Sequence, residues 1–426
     1  MSARRGAFIL EPTRAPFEEG LPKMNERPAR APLSGWRRLP PLMISVALAA
    51  CAPSLARIPL PASEMEAATV LSVPAGTDEI RVWGDERPAW VNEFLSAPAS
   101  EVKAKFPEIY GRPHSYLALS GGGLNGAYGA GMLVGWTESG KRPQFTMVTG
   151  ISTGSLIAPF AFLGSAYDRQ LEEIYTKYST DDLVKRRSLL GMVSQASAAD
   201  VTPLKSVIAH YVDANLIAAI GAEHRKGRRL FVGTTNLDAS RPVMWNIGAL
   251  ANSSDPGAAN LIREVLLASA SIPGAFPPVL IHVNADGKAY DELHVDGGTT
   301  TQVFVYPTGI DWNTVLQKLH VPGKPDLYLI RNASLSPTYK PVEPRLIPIA
   351  GRSISSLIRT QGIGDMYRIY LGAQRDGLKF HLAYIPNDFV EEPKEAFDAE
   401  YMRKLFSLGY EQGKSNSGWK TKPPDY

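Results

Sequence analysis

Apolar runs of strand-like character alternate with segments of helical periodicity along most of the chain. The predicted strands are 115–119, 145–150, 229–235, 289–296, 326–331 and 378–385, and the predicted helices include 260–269, 353–375 and 397–412. In the last helix Met402, Leu405 and Leu408 share one face, a spacing typical of a helix that packs on a core. The alternation predicts an α/β fold with three layers, α/β/α, around a mostly parallel central sheet. In such folds ligand sites lie at the carboxyl ends of the strands.

The pattern is weaker near the N-terminus and divides the chain into five predicted regions. Residues 1–36 form an N-terminal extension, predicted to be disordered, and residues 37–50 a signal peptide. Residues 51–112 combine a tether, rich in Pro, Ala and Ser, with a segment that packs on the domain. Residues 113–310 are the catalytic domain, and 311–426 continue the α/β fold to a final helix and tail.

The signal-peptide prediction rests on a short apolar stretch that follows two arginines. The run 39–50 is too short to span a bilayer and suits the apolar core of a secretory signal. It ends in Leu48-Ala-Ala-Cys51, which resembles the lipobox of bacterial lipoproteins and implies lipidation of Cys51, the single cysteine of the chain. We therefore expect a lipid-anchored protein of the cell envelope, on the periplasmic or outer-membrane side. An ordinary secretory signal is the alternative, and Met24 is a possible translation start.

Charge and composition exclude some classes of function. Of the 426 residues 44% are hydrophobic, enough for a substantial core. The net charge is +3, but residues 1–38 hold eight Arg or Lys and four Asp or Glu, so the remainder carries −1. A nearly neutral body predicts no nucleic-acid partner. The seven histidines lack the spacing of a metal site, so neither a metal nor a cofactor is expected. The sequence leaves the oligomeric state open.

The strongest chemical signal is Gly150-Ile-Ser152-Thr-Gly154, which follows an apolar strand and opens an apolar helix. This is the nucleophile-elbow pattern, in which a tight turn presents the serine hydroxyl beside free N–H groups at a helix start. The alternative is that Ser152 only caps the helix. Pro159 is expected to shorten or kink that helix.

A second glycine-rich loop lies thirty residues upstream, again between a strand and a helix. Its glycines Gly121, Gly122 and Gly123 offer backbone N–H groups that could form an oxyanion hole beside Ser152. The loop also fits a dinucleotide motif. That motif needs an acidic residue at the end of the next strand, and the sequence has none there.

A third segment, Asp296-Gly-Gly, ends a short alternating strand. Alone it indicates a turn. Together the three segments resemble the patatin-like phospholipases, whose Gly-Gly-Gly-x-(Arg/Lys)-Gly loop, Gly-x-Ser-x-Gly elbow and Asp-Gly-(Gly/Ala) motif occur in this order. The resemblance covers residues 115–305, including the segment 268–279.

The resemblance implies a lipid acyl hydrolase, of the phospholipase A or lysophospholipase kind, with a Ser-Asp dyad. Ser152 would be the nucleophile, Asp296 the base, and Gly121 to Gly123 the oxyanion donors. The substrate partner would be a membrane phospholipid or lysophospholipid. Asn125 stands where the family usually has Arg or Lys, which questions electrostatic help from this position toward an anionic head group.

Two other functions remain open at this point. An α/β-hydrolase with a Ser-Asp-His triad needs a histidine after the acid, and His320 and His381 are available by order. His294, two residues before Asp296 on the same strand face, is the histidine best placed to interfere with the dyad. A lipid-binding envelope protein on an inactive hydrolase scaffold is the non-enzymatic alternative.

Overall fold

The structure, a computed structural model, describes residues 56–70, 80–186, 199–307, 309–337 and 339–424. The predicted extension, the predicted signal peptide and Cys51 lie outside these ranges. No helix within them is long and apolar enough to cross a membrane.

The strands in these ranges are β1 (Thr69–Val70), β2 (Arg81–Trp83), β3 (Ser115–Leu119), β4 (Met147–Ile151), β5 (Lys185–Arg186), β6 (Ala199–Asp200), β7 (Arg229–Asn236), β8 (Arg241–Asn246), β9 (Val279–Ala285), β10 (Lys288–Asp296), β11 (Asp326–Arg331) and β12 (Lys379–Tyr384).

The α-helices are α1 (Trp90–Ser96), α2 (Ala99–Lys105), α3 (Gly126–Glu138), α4 (Thr153–Leu163), α5 (Asp168–Thr176), α6 (Thr180–Leu183), α7 (Thr202–Tyr211), α8 (Ala214–Arg225), α9 (Ile247–Ala251), α10 (Ala258–Ser269), α11 (Trp312–Lys318), α12 (Leu346–Arg375) and α13 (Ala399–Ser415).

Ten of the described strands form one mixed sheet. Its order is β1-β9-β10-β7-β4-β3-β11-β12, with β8 beside β7 and β2 beside β8. The strands β7, β4, β3, β11 and β12 run parallel to their neighbours in this series. The strands β1, β9, β10, β8 and β2 add an antiparallel part. The predicted α/β class with a largely parallel centre is confirmed, and the antiparallel part was not anticipated.

The central strands are apolar on both faces because helices cover both. Leu117, Leu119 and Val148 point into one core, which is shared with α3, α4, α10 and α13. The alternate residues Tyr116, Ala118 and Met147 point into a second core beneath α12. This arrangement confirms the three layers, and buried parallel strands typically show such continuous apolar runs.

The final helix packs as its spacing predicted. Met402 is 2% exposed and Leu405 is 0% exposed, and α13 lies along α3 on the first face of the sheet. On the second face, α1 and α2 form a small core with α11. The strand β2 joins the sheet through β8, so residues from 80 onward pack on the catalytic domain.

The helix α4 continues past Pro159 to Leu163, so the predicted shortening at Pro159 is wrong. A proline removes one backbone N–H and crowds the preceding turn. The buried side chains of Ile157, Phe160 and Phe162 hold the helix against the core and offset this local cost, which a local sequence rule does not take into account.

Candidate active site

Ser152 lies in a strained turn between β4 and α4. Its backbone has φ 55° and ψ −126°, in the left-handed range that side chains other than glycine rarely adopt. The turn closes tightly on both sides. A Cβ on Gly150 would lie 2.3 Å from the Gly154 carbonyl oxygen, and one on Gly154 would lie 2.3 Å from that of Leu119. Both glycines of the motif are therefore required by space.

The strained conformation of Ser152 is held by hydrogen bonds on both sides of the residue. Its N–H donates to Oγ of Ser269 at 3.0 Å, and that hydroxyl donates to the Gly233 carbonyl at 2.7 Å. Its carbonyl accepts from the N–H of Ser155 at 2.9 Å and from the Ser155 hydroxyl at 2.6 Å. The N–H and the carbonyl of Ser152 both have hydrogen-bond partners, so the turn is held without using the Ser152 hydroxyl.

Asp296 ends β10 and is held through its backbone and one oxygen. Its N–H donates to the Ser271 carbonyl at 2.9 Å, and Oδ1 accepts from the N–H of Gly298 at 2.7 Å. The residue is 5% exposed, and its Oδ2 is buried without a hydrogen-bond partner. Burial raises the pKa of Asp296 to about 7, against the lowering effects of the Ser152 hydroxyl and the Gly298 N–H.

The two motifs meet at this carboxyl group. The Ser152 hydroxyl is close enough to affect the pKa of Asp296, yet it does not make a fully aligned hydrogen bond to Oδ2. Catalytic hydrogen bonds are often loose before substrate binds. Asp296 thus keeps one acceptor oxygen without a hydrogen-bond partner, close to the candidate nucleophile.

The glycine loop lies against the nucleophile, as its place before α3 predicted. A Cβ on Gly121 would lie only 3.2 Å from Cβ of Ser152. The N–H of Gly121 donates to the Gln302 carbonyl at 3.1 Å, so this group is already occupied. Among the predicted oxyanion donors, the N–H groups of Gly122 and Gly123 are therefore the better candidates.

Sequence reasoning missed the residue that holds this loop, Asn332. It follows β11 and is fully buried. Its N–H donates to Oγ of Ser120 at 2.9 Å, its side-chain amide donates to the Ser120 carbonyl at 2.8 Å, and its Oδ1 accepts from the N–H of Gly129 at 3.1 Å. A Cβ on Gly122 would lie 2.2 Å from the Asn332 carbonyl oxygen. Asn332 thus fixes the start of the loop and of α3 together.

Asn125, at the position where related loops carry a base, faces α13 in this structure. Its Oδ1 accepts from the Tyr401 hydroxyl at 2.9 Å. It therefore links the loop to the helix layer and supplies no charge.

Within the described residues, none of the three candidate histidines makes a hydrogen bond to Ser152 or Asp296. His294 is fully buried, with Nδ1 2.9 Å from Oγ1 of Thr234 and Nε2 3.0 Å from Glu292. Burial lowers the pKa of His294, and Glu292 opposes the shift. Nε2 of His381 lies 2.8 Å from Oδ1 of Asp326, near the amino ends of the parallel strands. His320 packs against the ring of Tyr110.

A cavity in the described residues lies away from this site. It has a volume of about 690 Å³ and lies near the amino ends of β3, β4 and β7, where the side chains of α1 and α2 line it. Within the described ranges, no group of three or more His, Cys, Asp or Glu residues could hold a metal ion.

Comparison with known families agrees with the geometry. The family model of the patatin-like phospholipases matches residues 117–308, a range that contains the glycine loop, the Ser152 elbow and the Asp296 motif. Residues 117–308 are thus similar to a patatin-like phospholipase domain. This family implies lipid acyl hydrolase activity. The crystal structure of VipD from Legionella pneumophila is similar to the chain with 14% identity and a TM-score of 0.37, over 73% of this chain and 68% of that one. No curated protein matches the chain significantly.

Proposed function

We propose that this patatin-like domain hydrolyses carboxylic ester bonds of membrane phospholipids or lysophospholipids through a dyad of Ser152 and Asp296. The observation that carries the proposal is the buried Asp296 carboxyl group, whose Oδ2 has no hydrogen-bond partner and whose pKa is raised by burial and lowered by the nearby hydroxyl of the strained Ser152. Nucleophile and base in direct reach form the minimal unit for acyl transfer.

In the first half of the reaction, Oγ of Ser152 attacks the ester carbonyl carbon while its proton passes to Oδ2 of Asp296. The negative charge that develops on the carbonyl oxygen is stabilised by the N–H groups of Gly122 and Gly123. When the tetrahedral intermediate collapses, the C–O bond to the alcohol breaks. Asp296 returns its proton to that alcohol, and Ser152 is left as an acyl ester.

In the second half, water attacks the acyl ester, and Asp296 takes the proton from this water. Collapse of the second intermediate releases the fatty acid, and the proton on Asp296 returns to Oγ of Ser152. Each half-reaction uses the same oxyanion donors, and no proton is gained or lost on the enzyme over the cycle.

A carboxylate is ordinarily too weak a base for this role. Burial raises the pKa of Asp296 to about 7, so its charged and neutral forms are close in free energy at neutral pH. A base with a pKa near the working pH is the most effective proton shuttle. The second oxygen is held by the N–H of Gly298, so the group keeps its orientation in both states.

The direct test is analysis of lipid products by mass spectrometry after incubation with phospholipid and lysophospholipid vesicles, with Ser152→Ala as the blank. We expect free fatty acid and a deacylated lipid only with the unaltered protein. Equal product from Ser152→Ala would contradict the proposal. Binding of vesicles without any product from either protein would favour the lipid-binding alternative.

We propose further that Cys51 is the lipidated N-terminus of the mature protein and anchors it in the cell envelope. The support is the sequence Leu48-Ala-Ala-Cys51 after an apolar stretch. A single acyl chain binds membranes only marginally, whereas several chains hold firmly. Cys51→Ser should release the protein from membranes or block its maturation, as membrane fractionation would show. Unchanged fractionation, with no lipid on Cys51 by mass spectrometry, would indicate an ordinary signal peptide.

A further inference from the structure

Arg331 is a buried cation without a partner. It ends β11 and is 3% exposed, and its Nε is buried with no hydrogen-bond acceptor. Within the described residues no ion pair holds its guanidinium. Burying a charge is costly unless an opposite charge or hydrogen bonds compensate it. Asp365 acts on Arg331 only through its charge, so the guanidinium has donors left for a further anion.

The residue lies at the same edge of the sheet as the candidate active site. The pairing of β11 with β3 places Ile330 opposite Leu119, so Arg331 is level with Ser120 at the start of the glycine loop. The strand order β4-β3-β11 puts it two strand spacings, about 10 Å, from the strand that carries Ser152.

A helix glycine makes room for this guanidinium. Arg331 points to the face of the sheet beneath α12. There a Cβ on Gly362 would lie 2.6 Å from a terminal nitrogen of Arg331 and 3.2 Å from Cβ of Gln302. Gln302 is the residue whose carbonyl holds Gly121. A line of direct neighbours thus leads from Arg331 through Gly362 and Gln302 to the glycine loop.

A second arginine adds to the positive charge. Arg359 lies one turn before Gly362 in α12, donates to the Leu335 carbonyl, and also has a buried Nε without a partner. Burial, followed by the nearby charge of Arg359, lowers the pKa of Arg331 to about 10. Arg331 therefore remains charged at neutral pH, with another cation beside it.

The one carboxylate that opposes these cations is already engaged. Asp365 raises the pKa of Arg331, but one of its oxygens accepts from the N–H of Gln302 and the other from Arg368, both at 2.7 Å. The carboxylate that acts on Arg331 is thus committed to other donors. This cluster has an excess of positive charge next to the site where an ester is proposed to be cut.

We propose that Arg331 and Arg359 bind the phosphate of the lipid substrate. The proposal rests on the proposed function and deepens it by naming the residues that hold the head-group phosphate. Guanidinium groups bind phosphate oxygens in a forked geometry with strong, charge-assisted hydrogen bonds. In a glycerophospholipid the phosphate is a few bonds from the ester carbonyls. The neutral Asn125 leaves the loop itself without a cation for this role, and the cluster beneath α12 supplies one.

The test compares a phospholipid with a diacylglycerol of identical acyl chains, both in neutral mixed micelles. For each protein, kcat/KM for the phospholipid is divided by kcat/KM for the diacylglycerol. Since a charge-assisted hydrogen bond contributes about 1.5–3 kcal/mol, we expect Arg331→Gln and Arg359→Gln to lower this quotient about tenfold or more. Arg352→Gln removes the same charge two turns earlier in α12 and should change the quotient less than twofold.

A second measurement is independent of activity. Inorganic phosphate should raise the unfolding midpoint of Ser152→Ala relative to chloride at equal ionic strength, and Arg359→Gln should abolish this shift. Because this measurement uses Arg359→Gln, it still tests the proposal if the Arg331→Gln protein fails to fold. It distinguishes the phosphate site from the proposed hydrolase function as well, because it requires no turnover.

Unchanged quotients in both arginine variants would overturn the assignment to the head group. That holds even if inorganic phosphate stabilises the protein, since the cluster would then take free phosphate only. An equal fall of the quotient in Arg352→Gln would also overturn it, because the effect would then be general attraction by the charge of α12.

Discussion

The two ends of the parallel strands differ in backbone strain and in the contacts of their titratable side chains. At the amino ends, His381 pairs with Asp326, and His114 lies 2.7 Å from the Tyr116 hydroxyl and 3.0 Å from the Ile109 carbonyl. At the carboxyl ends, the backbone of Ser152 is strained and Asp296 keeps an oxygen without a partner. A cavity of about 690 Å³ lies at the amino ends, away from the three motifs.

This contrast shows that space alone does not mark the chemical site. The cavity at the amino ends is lined mainly by apolar and aromatic side chains and contains no residue of the three motifs. Strain and buried polar groups without partners persist in folded proteins mainly where function requires them. Both occur together where the glycine loop, the elbow and Asp296 meet, and the predictions below test that difference between the ends.

The largest expected effect is at the carboxyl end. Ser152→Ala and Asp296→Asn should each lower kcat for lipid ester hydrolysis by about 10⁴-fold, and the double variant should lose little more, because residues that act as one unit are not additive. Steady-state kinetics on one lipid substrate measures all three. Losses that multiply in the double variant would mean that the two side chains act independently.

The ionisation of Asp296 should also lower the free energy of unfolding. Its pKa is about 7 in the folded protein, against an ordinary 3.8, so between these values the folded chain keeps a proton that the unfolded chain has released. The free energy of unfolding therefore falls as pH rises through this window, by about 1.4 kcal/mol for each unit.

Asp296→Asn removes this ionisation. We expect the variant to unfold at a higher temperature than the unaltered protein at pH 8, with the difference shrinking toward pH 4. Thermal unfolding at several pH values measures it. A variant that is less stable at pH 8 would show that Asp296 is held as a well-compensated carboxylate.

Asn332 should have an intermediate effect, since it acts through the glycine loop. Asn332→Ala removes the acceptor for Gly129 and the donor to Ser120. We expect about 1–3 kcal/mol lower stability and a kcat about tenfold lower, with a smaller change in KM. Asn332→Asp keeps the acceptor but buries a charge and places an oxygen against the Ser120 carbonyl, so it should be no more stable than Asn332→Ala. A loss of stability without any change in kcat would limit Asn332 to a structural role.

The smallest effects are expected for the histidines. His320→Ala and His381→Ala lie away from the dyad and should keep kcat/KM within about threefold of the unaltered protein. His294→Ala breaks contacts to Thr234 and Glu292 and should be less stable, while its folded fraction stays active. A well-folded histidine variant as inactive as Ser152→Ala would restore the triad.

The sequence predicts those parts of the site that are local in the chain. The elbow at Ser152, the glycine loop and Asp296-Gly-Gly are short motifs in which the backbone turn itself dictates the residues. The central strands can also be predicted from the sequence, because burial on both faces makes them continuously apolar. Asp326–Arg331 was predicted with the bounds that the structure has.

The supporting residues could not be predicted, because strand order brings them together and chain order does not. Asn332 reaches the glycine loop only because β11 pairs with β3, some 200 positions apart in the chain. Ser269, Gln302 and Arg331 likewise act across elements, and each reads alone as an ordinary polar residue. The one weak signal was the segment 268–279, where Ser269 and Ser271 hold Ser152 and Asp296.

The most direct test of the central claim is covalent labelling by a fluorophosphonate, followed by mass spectrometry of the labelled peptide. The account predicts label on Ser152 alone. The labelling rate should rise about tenfold per pH unit up to about pH 7, where Asp296 loses its proton, and Asp296→Asn should abolish most of it. Label on another residue, or on Ser152 at a rate that does not depend on Asp296, would contradict the dyad.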